Sequence, residues 1–147
     1  MKRFFLTTAL LLALGATAFG QTTKPDDEEA AVRQAVQHYL HGLKYNDVES
    51  LKKAFWPEAK LFFVKNGGQL GQLTQSQWYE GFAASAGKEE KGDLKITDVD
   101  ITGDAASVKV EEDYPGSVYI DYLSLLKFNG EWKIVNKIYT SHQKKKT

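Results

Sequence analysis

The first periodic pattern in the chain is that of a helix. Apolar residues recur at steps of three and four between residues 32 and 43, which is the spacing of a single buried helix face. The residues that follow this spacing are Val32, Val36, Tyr39, Leu40 and Leu43. Asp26 lies before this pattern with Glu29 three residues later, which is the spacing of a capping box. The pattern therefore predicts an amphipathic helix that begins near residue 26.

Two shorter helices are predicted further along. The apolar residues Val48, Leu51 and Phe55 repeat at helical spacing, and Asn46 with Glu49 suggests a cap before them. The third helix follows Thr74, which with Gln77 again has capping-box spacing.

The remaining apolar patterns are those of strands. The dipeptides Asn66-Gly67 and Asn129-Gly130 are strong signals for tight hairpin turns. Six strands are predicted, over residues 61–64, 69–73, 94–101, 105–113, 118–128 and 132–139. The order α-α-β-β-α-β-β-β-β predicts an α+β domain in which a curved antiparallel sheet packs on three N-terminal helices.

The strand at 94–101 changes the face on which its apolar residues lie. Leu94 and Ile96 occupy even positions, whereas Val99 and Ile101 occupy odd ones. Because side chains alternate strictly along a regular strand, the change indicates a β-bulge near Thr97-Asp98, which would curl the sheet.

The strand at 118–128 is apolar on both faces, with Tyr119, Leu123 and Leu125 on one face. A half-exposed strand alternates apolar and polar residues instead. The helices can cover only one face of this strand. We therefore predict that a second copy of the chain covers the other, giving a homodimer through the sheet.

The N-terminus has the layout of a secretory signal peptide. Lys2 and Arg3 precede an apolar run over residues 4–14, and small residues follow up to Gly20. That run is too short to span a bilayer comfortably. We expect an exported protein, periplasmic or secreted, with no stable membrane span once the signal is cleaved. The predicted organisation is a signal peptide (1–20), a leader (21–25), one domain (26–140) and a basic tail (141–147).

The composition excludes several kinds of site. The chain has no Cys, which removes disulfides, Cys-ligated metals and thiol nucleophiles. The 19 Lys and Arg balance the 19 Asp and Glu, and Arg33 is the only Arg after residue 20, so we expect no nucleic-acid partner. His38 and His41 lie on the predicted polar face of the first helix without a third ligand at a diagnostic spacing. We therefore predict neither a metal site nor a cofactor.

Four stretches carry a resemblance to a known family. Tyr39-x-x-Gly42-x-x-x-Asn46-Asp47 and residues 55–59 (Phe-Trp-Pro-Glu-Ala) resemble N-terminal motifs of the nuclear transport factor 2-like superfamily, with Trp56 where His is usual. Residues 121–127 and 130–137 resemble the closing strands of its putative lumazine-binding family. The resemblance covers roughly residues 28–140 and implies a cone-like fold with a cavity between the sheet and the helices.

The resemblance also implies where a ligand would sit. Members of the superfamily, SnoaL-like cyclases among them, use this cavity for small-molecule chemistry or for binding alone. The predicted pocket residues, chosen for their rings or their place on the closing strands, are Tyr39, Trp56, Phe63, Trp78, Tyr119, Asp121, Asn136 and Lys137. Asn136 and Lys137 are neighbours on one strand, so only one of them can face the cavity.

Asp121 is the strongest candidate for a catalytic base, because it interrupts an otherwise apolar strand. Tyr39 or Tyr119 could donate a hydrogen bond to a developing oxyanion. The alternative is a structural Asp121 that accepts hydrogen bonds from Lys137 or Lys127.

Three functions therefore remain open. The favoured one is binding of a small organic ligand, with an aromatic ring as one option. The second is a cofactor-independent isomerase, cyclase or dehydratase, and the third is a structural domain that binds a partner. An enzyme requires a carboxylate within hydrogen-bond reach of a donor inside the cavity.

Overall fold

The structure is a computed structural model that describes residues 25–145. The predicted signal peptide, most of the leader and the last two residues lie outside the described residues. Within them, no helix combines the length and the apolar character needed to cross a membrane.

The order of elements confirms the predicted α+β fold. The helices are α1 (Pro25–Tyr45), α2 (Val48–Ala54) and α3 (Gln75–Tyr79), and a 3₁₀ turn (Glu80–Ser85) extends α3. The strands are β1 (Phe55–Val64), β2 (Leu70–Thr74), β3 (Asp93–Thr102), β4 (Ala105–Asp113), β5 (Ser117–Phe128) and β6 (Glu131–Gln143). Phe55, predicted to close the second helix, is instead the first residue of β1.

The six strands form one sheet in the order β2-β1-β6-β5-β4-β3. Neighbouring strands are antiparallel except β1 and β6, which run parallel with Leu61 opposite Lys137. The hairpin signals could not reveal this parallel pairing, because it joins strands that are distant in the chain. It places β6 in the middle of the sheet, between β1 and β5.

The strand register shifts at three places, one of them between Phe55 and Lys60 in the pairing of β1 with β6. The register of β3 with β4 shifts between Ile96 and Asp98, which confirms the predicted bulge. The third shift lies between β5 and β6, where Val135 has no partner in the register. Side chains on β6 therefore change face: Trp132 and Ile134 are buried before the shift, and Lys137 is buried after it.

Helix α1 packs on the inner face of the sheet through the predicted stripe. Val32, Val36 and Tyr39 are fully buried, and the other two residues of the stripe are nearly so. Helix α2 packs closely on α1 at Gly42, where a Cβ atom would lie 2.4 Å from Leu51 Cδ2. Gly42 is thus required by the approach of the two helices.

The predicted caps have different outcomes. Thr74 and Gln77 form the expected capping box at α3. The prediction of Asn46 as the cap of α2 is wrong, since Asp47 is the N-cap and accepts from the backbone N–H groups of Glu49 and Ser50. Asn46 adopts a φ of 51° in the turn between the helices, a conformation that Asn tolerates better than most residues.

Candidate active site

A cavity of about 700 Å³ lies between the inner face of the sheet, α3 and the loop that follows α3. Its aromatic lining comprises Trp78, Phe82, Tyr114, Tyr119 and Tyr139. Its charged lining comprises Glu89, Glu90, Lys91, Glu112 and Lys137. This combination of rings with a few polar groups is typical of a small-molecule site.

Four polar side chains from four elements meet at the floor of this cavity. They are Tyr39 of α1, Glu112 of β4, Asp121 of β5 and Lys137 of β6, and we call them the floor cluster. Tyr39 and Asp121 are fully buried, whereas Glu112 and Lys137, each at most 5% exposed, also line the cavity. The cluster thus connects the protein interior to the space where a ligand would lie.

The Tyr39 hydroxyl is the centre of the floor cluster. It lies 2.7 Å from Glu112 Oε1 and 2.6 Å from Lys137 Nζ, and it also contacts Asp121 Oδ2. Lys137 Nζ donates to the same Asp121 oxygen at 2.6 Å, while Glu112 Oε1 is 3.9 Å from Lys137 Nζ. The cation therefore pairs more closely with Asp121 than with Glu112.

Burial changes the acidity of these groups. It raises the pKa of Glu112 to about 8; the Lys137 ammonium opposes this rise, and the nearby Asp121 carboxylate adds to it. Burial alone would lower the pKa of Lys137, but the charges of Asp121 and Glu112 outweigh it and raise that pKa. Burial, and then the two carboxylates, hold the pKa of Tyr39 well above its ordinary value. A proton on Glu112 is therefore exchangeable near neutral pH.

The aromatic walls surround the Lys137 ammonium. Its Nζ lies 5.0 Å from the ring centre of Tyr39, 5.4 Å from that of Trp78 and 4.9 Å from that of Tyr139. Such distances give favourable cation–π contacts. The rings and the Asp121 carboxylate together hold a charged amine in a largely dry place.

The mouth of the cavity is bounded by the loop over residues 86–92, which the end of α1 holds in place. Lys44 Nζ donates to the carbonyl oxygens of Glu90 at 2.7 Å and Gly92 at 3.0 Å. Asn46 Nδ2 donates to the carbonyl oxygen of Lys88 at 2.9 Å. The conformation of Asn46 in the turn thus fixes one wall of the cavity.

The structure brings together five of the eight predicted pocket residues. Trp78, Tyr119 and Lys137 line the cavity, and Tyr39 and Asp121 lie directly beneath it. Lys137 was one of the two partners expected for a structural Asp121, and this ion pair is present. The other structural candidate, Lys127, instead pairs with Glu28.

The other three predicted pocket residues lie outside the lining. Phe63 stacks on Tyr139, a lining residue, with ring centres 5.2 Å apart. Trp56 is 41% exposed and packs edge-on against Phe128. Asn136 projects to the face opposite Lys137, because adjacent side chains on a strand alternate.

Glu112 was not among the predicted site residues. A signal was available, because Ala106, Val108 and Val110 alternate along the same strand, and continuing that alternation puts Glu112 on the buried face. Its acidic neighbours, Glu111 and Asp113, hide this position within a run of charged residues at the end of the strand. Tyr139 was missed because it lies beyond the apolar core of the last strand.

The histidines stand apart from this site. His41 is exposed, and its Nε2 lies 3.6 Å from Asp47 Oδ2. Residues 25–145 contain no group of three or more potential metal-ligating side chains.

Comparison with known proteins agrees with this geometry. The profile of a family described as putative lumazine-binding matches residues 27–140. Aldolase FrzH of Cladobotryum sp. is 24% identical over 115 residues, which are 78% of this chain and 92% of that protein.

Two crystal structures of NTF2-like proteins of unknown function also resemble the chain. The protein from Shewanella baltica OS155 is 27% identical with a TM-score of 0.75, and the match covers 82% of this chain and 98% of that one. The protein from Silicibacter pomeroyi DSS-3 is 25% identical with a TM-score of 0.73, covering 82% and 100%. With its family profile, its fold and its cavity in agreement, the chain belongs to the putative lumazine-binding family of NTF2-like proteins.

Proposed function

We propose that the chain binds a small organic molecule in the aromatic cavity and transfers a proton to or from it through Glu112. The observation that carries the proposal is that Glu112 and Lys137 both line the cavity while they bond to the buried Tyr39 hydroxyl. A carboxyl group beside a donor inside one cavity is the arrangement that an acid–base enzyme needs. The floor cluster thus favours the enzymatic alternative over binding alone.

Glu112 suits proton transfer better than Asp121 and Tyr39, two of the three catalytic candidates predicted from the sequence. Asp121 and Tyr39 are completely buried and do not line the cavity, so a ligand in it would meet Glu112 first. A pKa of about 8 lets Glu112 hold a proton at neutral pH and give it up readily. The aldolase named above supports an enzymatic role for this family member.

Lys137 indicates the chemistry of the ligand. An ammonium group has three N–H bonds, and two of them donate to Tyr39 and Asp121. Among the described residues no third acceptor lies within hydrogen-bond distance of Lys137 Nζ, so one N–H is available to an oxygen of the ligand.

The charges at the mouth limit the charge of that ligand. Glu89 and Glu90 lie beside Lys91, and Lys44 Nζ is 3.4 Å from Glu89. Because these charges nearly balance, a neutral molecule suits the entrance better than a polyanion. A flat ring compound with a carbonyl oxygen satisfies both the aromatic walls and the available N–H of Lys137.

Two probes test the proposal directly. Lumazine and 1-indanone are flat, bicyclic and carry carbonyl oxygens; both should quench the fluorescence of Trp78 saturably, and the Trp78→Phe variant should lose that signal. The protein should also accelerate the exchange of the protons beside the 1-indanone carbonyl in D₂O, followed by NMR. General acid–base catalysis contributes about 10²-fold or more, so Glu112→Gln should remove an effect of that size.

The exposed Glu131→Gln variant is the matched control and should exchange like the wild type. Saturable quenching with exchange that Glu112→Gln leaves unchanged would refute proton transfer and leave a binding protein. Absence of both quenching and exchange would refute the proposal as a whole.

We also propose that two copies pair through the outer face of the sheet. Tyr122, Leu126 and Ile138 are between 44% and 49% exposed on this face, and Tyr122 and Ile138 are partners on adjacent strands. Light scattering at micromolar concentration should give twice the monomer mass, and Ile138→Glu should reduce it. A monomeric wild-type protein would contradict this pairing.

We also propose that the protein is exported, and this proposal rests on the N-terminal sequence pattern alone. Expressed in a bacterium, the protein should appear in the periplasm or the medium with a mass that lacks about the first 20 residues. A cytoplasmic protein of full-length mass would contradict it.

A further inference from the structure

The number of hydrogen atoms at the Tyr39 hydroxyl limits the protonation of the floor cluster. The hydroxyl has one hydrogen to donate and two lone pairs to accept with. It has three partners, Lys137 Nζ and one oxygen each of Glu112 and Asp121. Lys137 can only donate, so it occupies one lone pair.

The hydrogen and the second lone pair of the Tyr39 hydroxyl then remain for the carboxyl groups of Glu112 and Asp121. If both were ionised, one of them would face the hydroxyl oxygen without any hydrogen between them, which is unfavourable in a buried place. If one is protonated, that one donates to Tyr39 and the other accepts from it. The three contacts of the Tyr39 hydroxyl are therefore all satisfied when the two carboxyl groups hold a single proton.

The position of Lys137 decides which carboxyl group holds it. The ammonium lies 2.6 Å from Asp121 Oδ2 and 3.9 Å from Glu112 Oε1, so it stabilises ionised Asp121 more strongly. Glu112 is thus the protonated partner, and Glu112 is also the one that lines the cavity. The resting order of bonds runs from the Glu112 O–H to the Tyr39 oxygen, and from the Tyr39 O–H to Asp121.

We propose that Tyr39 is a positioning residue that turns its single O–H from Asp121 to Glu112 when Glu112 has given its proton to a ligand, and turns back when the proton returns. The inference deepens the proposed function and depends on it for the identity of the proton acceptor. In the transfer the O–H bond of Glu112 breaks, its electron pair stays on the carboxylate, and the proton forms a bond to the ligand. Asp121 keeps its bond to Lys137 throughout.

This reorientation of the Tyr39 hydroxyl gives Glu112 a hydrogen-bond partner in both of its protonation states. Protonated Glu112 donates to Tyr39, and ionised Glu112 accepts from it. Other titratable groups also face Glu112: Asp121 from β5, Lys137 and Tyr139 from β6, and Tyr114, which follows β4 and whose pKa is raised by burial and then by the charge of Glu112 and a hydrogen bond to it. Tyr39 can serve as donor or as acceptor without gaining or losing a proton, whereas Glu112 donates only when it is protonated.

Two substitutions separate this role from a merely structural one, because they should move the titration of Glu112 in opposite directions. Asp121→Asn removes a buried negative charge, so the midpoint should fall by about one pH unit. Tyr39→Phe removes a donor to ionised Glu112, so the midpoint should rise by about one pH unit. The midpoint is read from the side-chain carboxyl ¹³C resonance, assigned with Glu112→Gln.

Matched controls lie away from the floor cluster. Tyr79→Phe changes a half-buried tyrosine of α3, and Asp98→Asn changes an exposed carboxylate of β3; both should leave the midpoint unchanged. Shifts of the same sign in Tyr39→Phe and Asp121→Asn, or no shift in either, would overturn the inference.

A measurement on the unaltered protein keeps the test decisive if a variant fails to fold. The Cζ resonance of Tyr39 should change with the same midpoint as Glu112, because the hydroxyl changes from donor towards Asp121 to donor towards Glu112. A Cζ resonance that is constant through that midpoint would overturn the inference. These titrations use no ligand, so their failure is distinct from failure of the exchange experiment with 1-indanone.

Discussion

The inner face of the sheet has two halves that are built from the same strands and differ in what covers them. The closed half consists of Val108, Leu125, Trp132 and Ile134, all at most 5% exposed and packed in one apolar cluster with α1 and α2. The open half consists of Glu112, Tyr119, Asp121, Lys137 and Tyr139, which meet the cavity or lie beneath it. The shift at Val135 separates the two along β6.

The difference shows how one small sheet provides both stability and chemistry. The closed half gains stability from apolar burial, which needs no directional bonds. The open half buries charges, which is favourable only when every charge has a partner. The closed half therefore holds the strands in position so that the open half can keep a cation and two carboxyl groups away from bulk water.

The largest effect is expected from removing the cation of the open half. Lys137→Met leaves the Asp121 charge buried without its cation, which should lower the free energy of unfolding by about 3–5 kcal/mol. Urea denaturation measures this loss. The double variant Lys137→Met/Asp121→Asn should recover part of it, and an undiminished stability of the single variant would show that Asp121 is not held as an anion.

A substitution that creates a cavity in the closed half should lower the free energy of unfolding by nearly as much. Leu125→Ala removes a side chain that is 1% exposed, and such truncations cost about 2–5 kcal/mol. At temperatures where the variant is folded, the quenching of Trp78 by lumazine should keep the wild-type dissociation constant. Loss of that binding in a folded variant would mean that the two halves are coupled more closely than their separation suggests.

The pH dependence of stability tests the open half without disturbing its packing. The pKa of Glu112 is about 8 in the folded protein and 4.5 ordinarily, so the folded state binds more protons between these values. The contribution of Glu112 is present below about pH 4.5 and is lost as the pH rises to 8, by up to ~1.4 kcal/mol per pH unit. Urea titrations of wild type and Glu112→Gln across this range should diverge accordingly, and parallel curves would contradict the raised pKa.

The smallest effect on stability is expected from replacing Asn136, the neighbour of Lys137. Asn136 is adjacent to Lys137 on β6 but projects to the outer face, so Asn136→Ala should change the free energy of unfolding by no more than about 0.5 kcal/mol. Probe binding should be unchanged. A large loss of either would contradict the placement of the shift at Val135, which decides the face of both residues.

The irregularities in β3 and β6 differ in whether the sequence could predict them. In β3 the outer positions are polar, so the move of apolar residues from Leu94 and Ile96 to Val99 and Ile101 is visible in the sequence. In β6 both faces carry apolar residues, Ile134 on one and Ile138 on the other, which hides the same kind of change. The choice between Asn136 and Lys137 could not be made from alternation for that reason.

The sequence by itself determined the helices, the strands, their order and the family, because these depend on local periodicity, caps, turn residues and short motifs. It also singled out Asp121, since a lone acid in an apolar strand requires a partner. Only the tertiary structure decided that β1 and β6 run parallel, that Lys137 faces inward, and that Glu112 joins Tyr39 at the cavity floor. Those outcomes depend on contacts between residues as much as 98 positions apart, whose geometry no local pattern encodes.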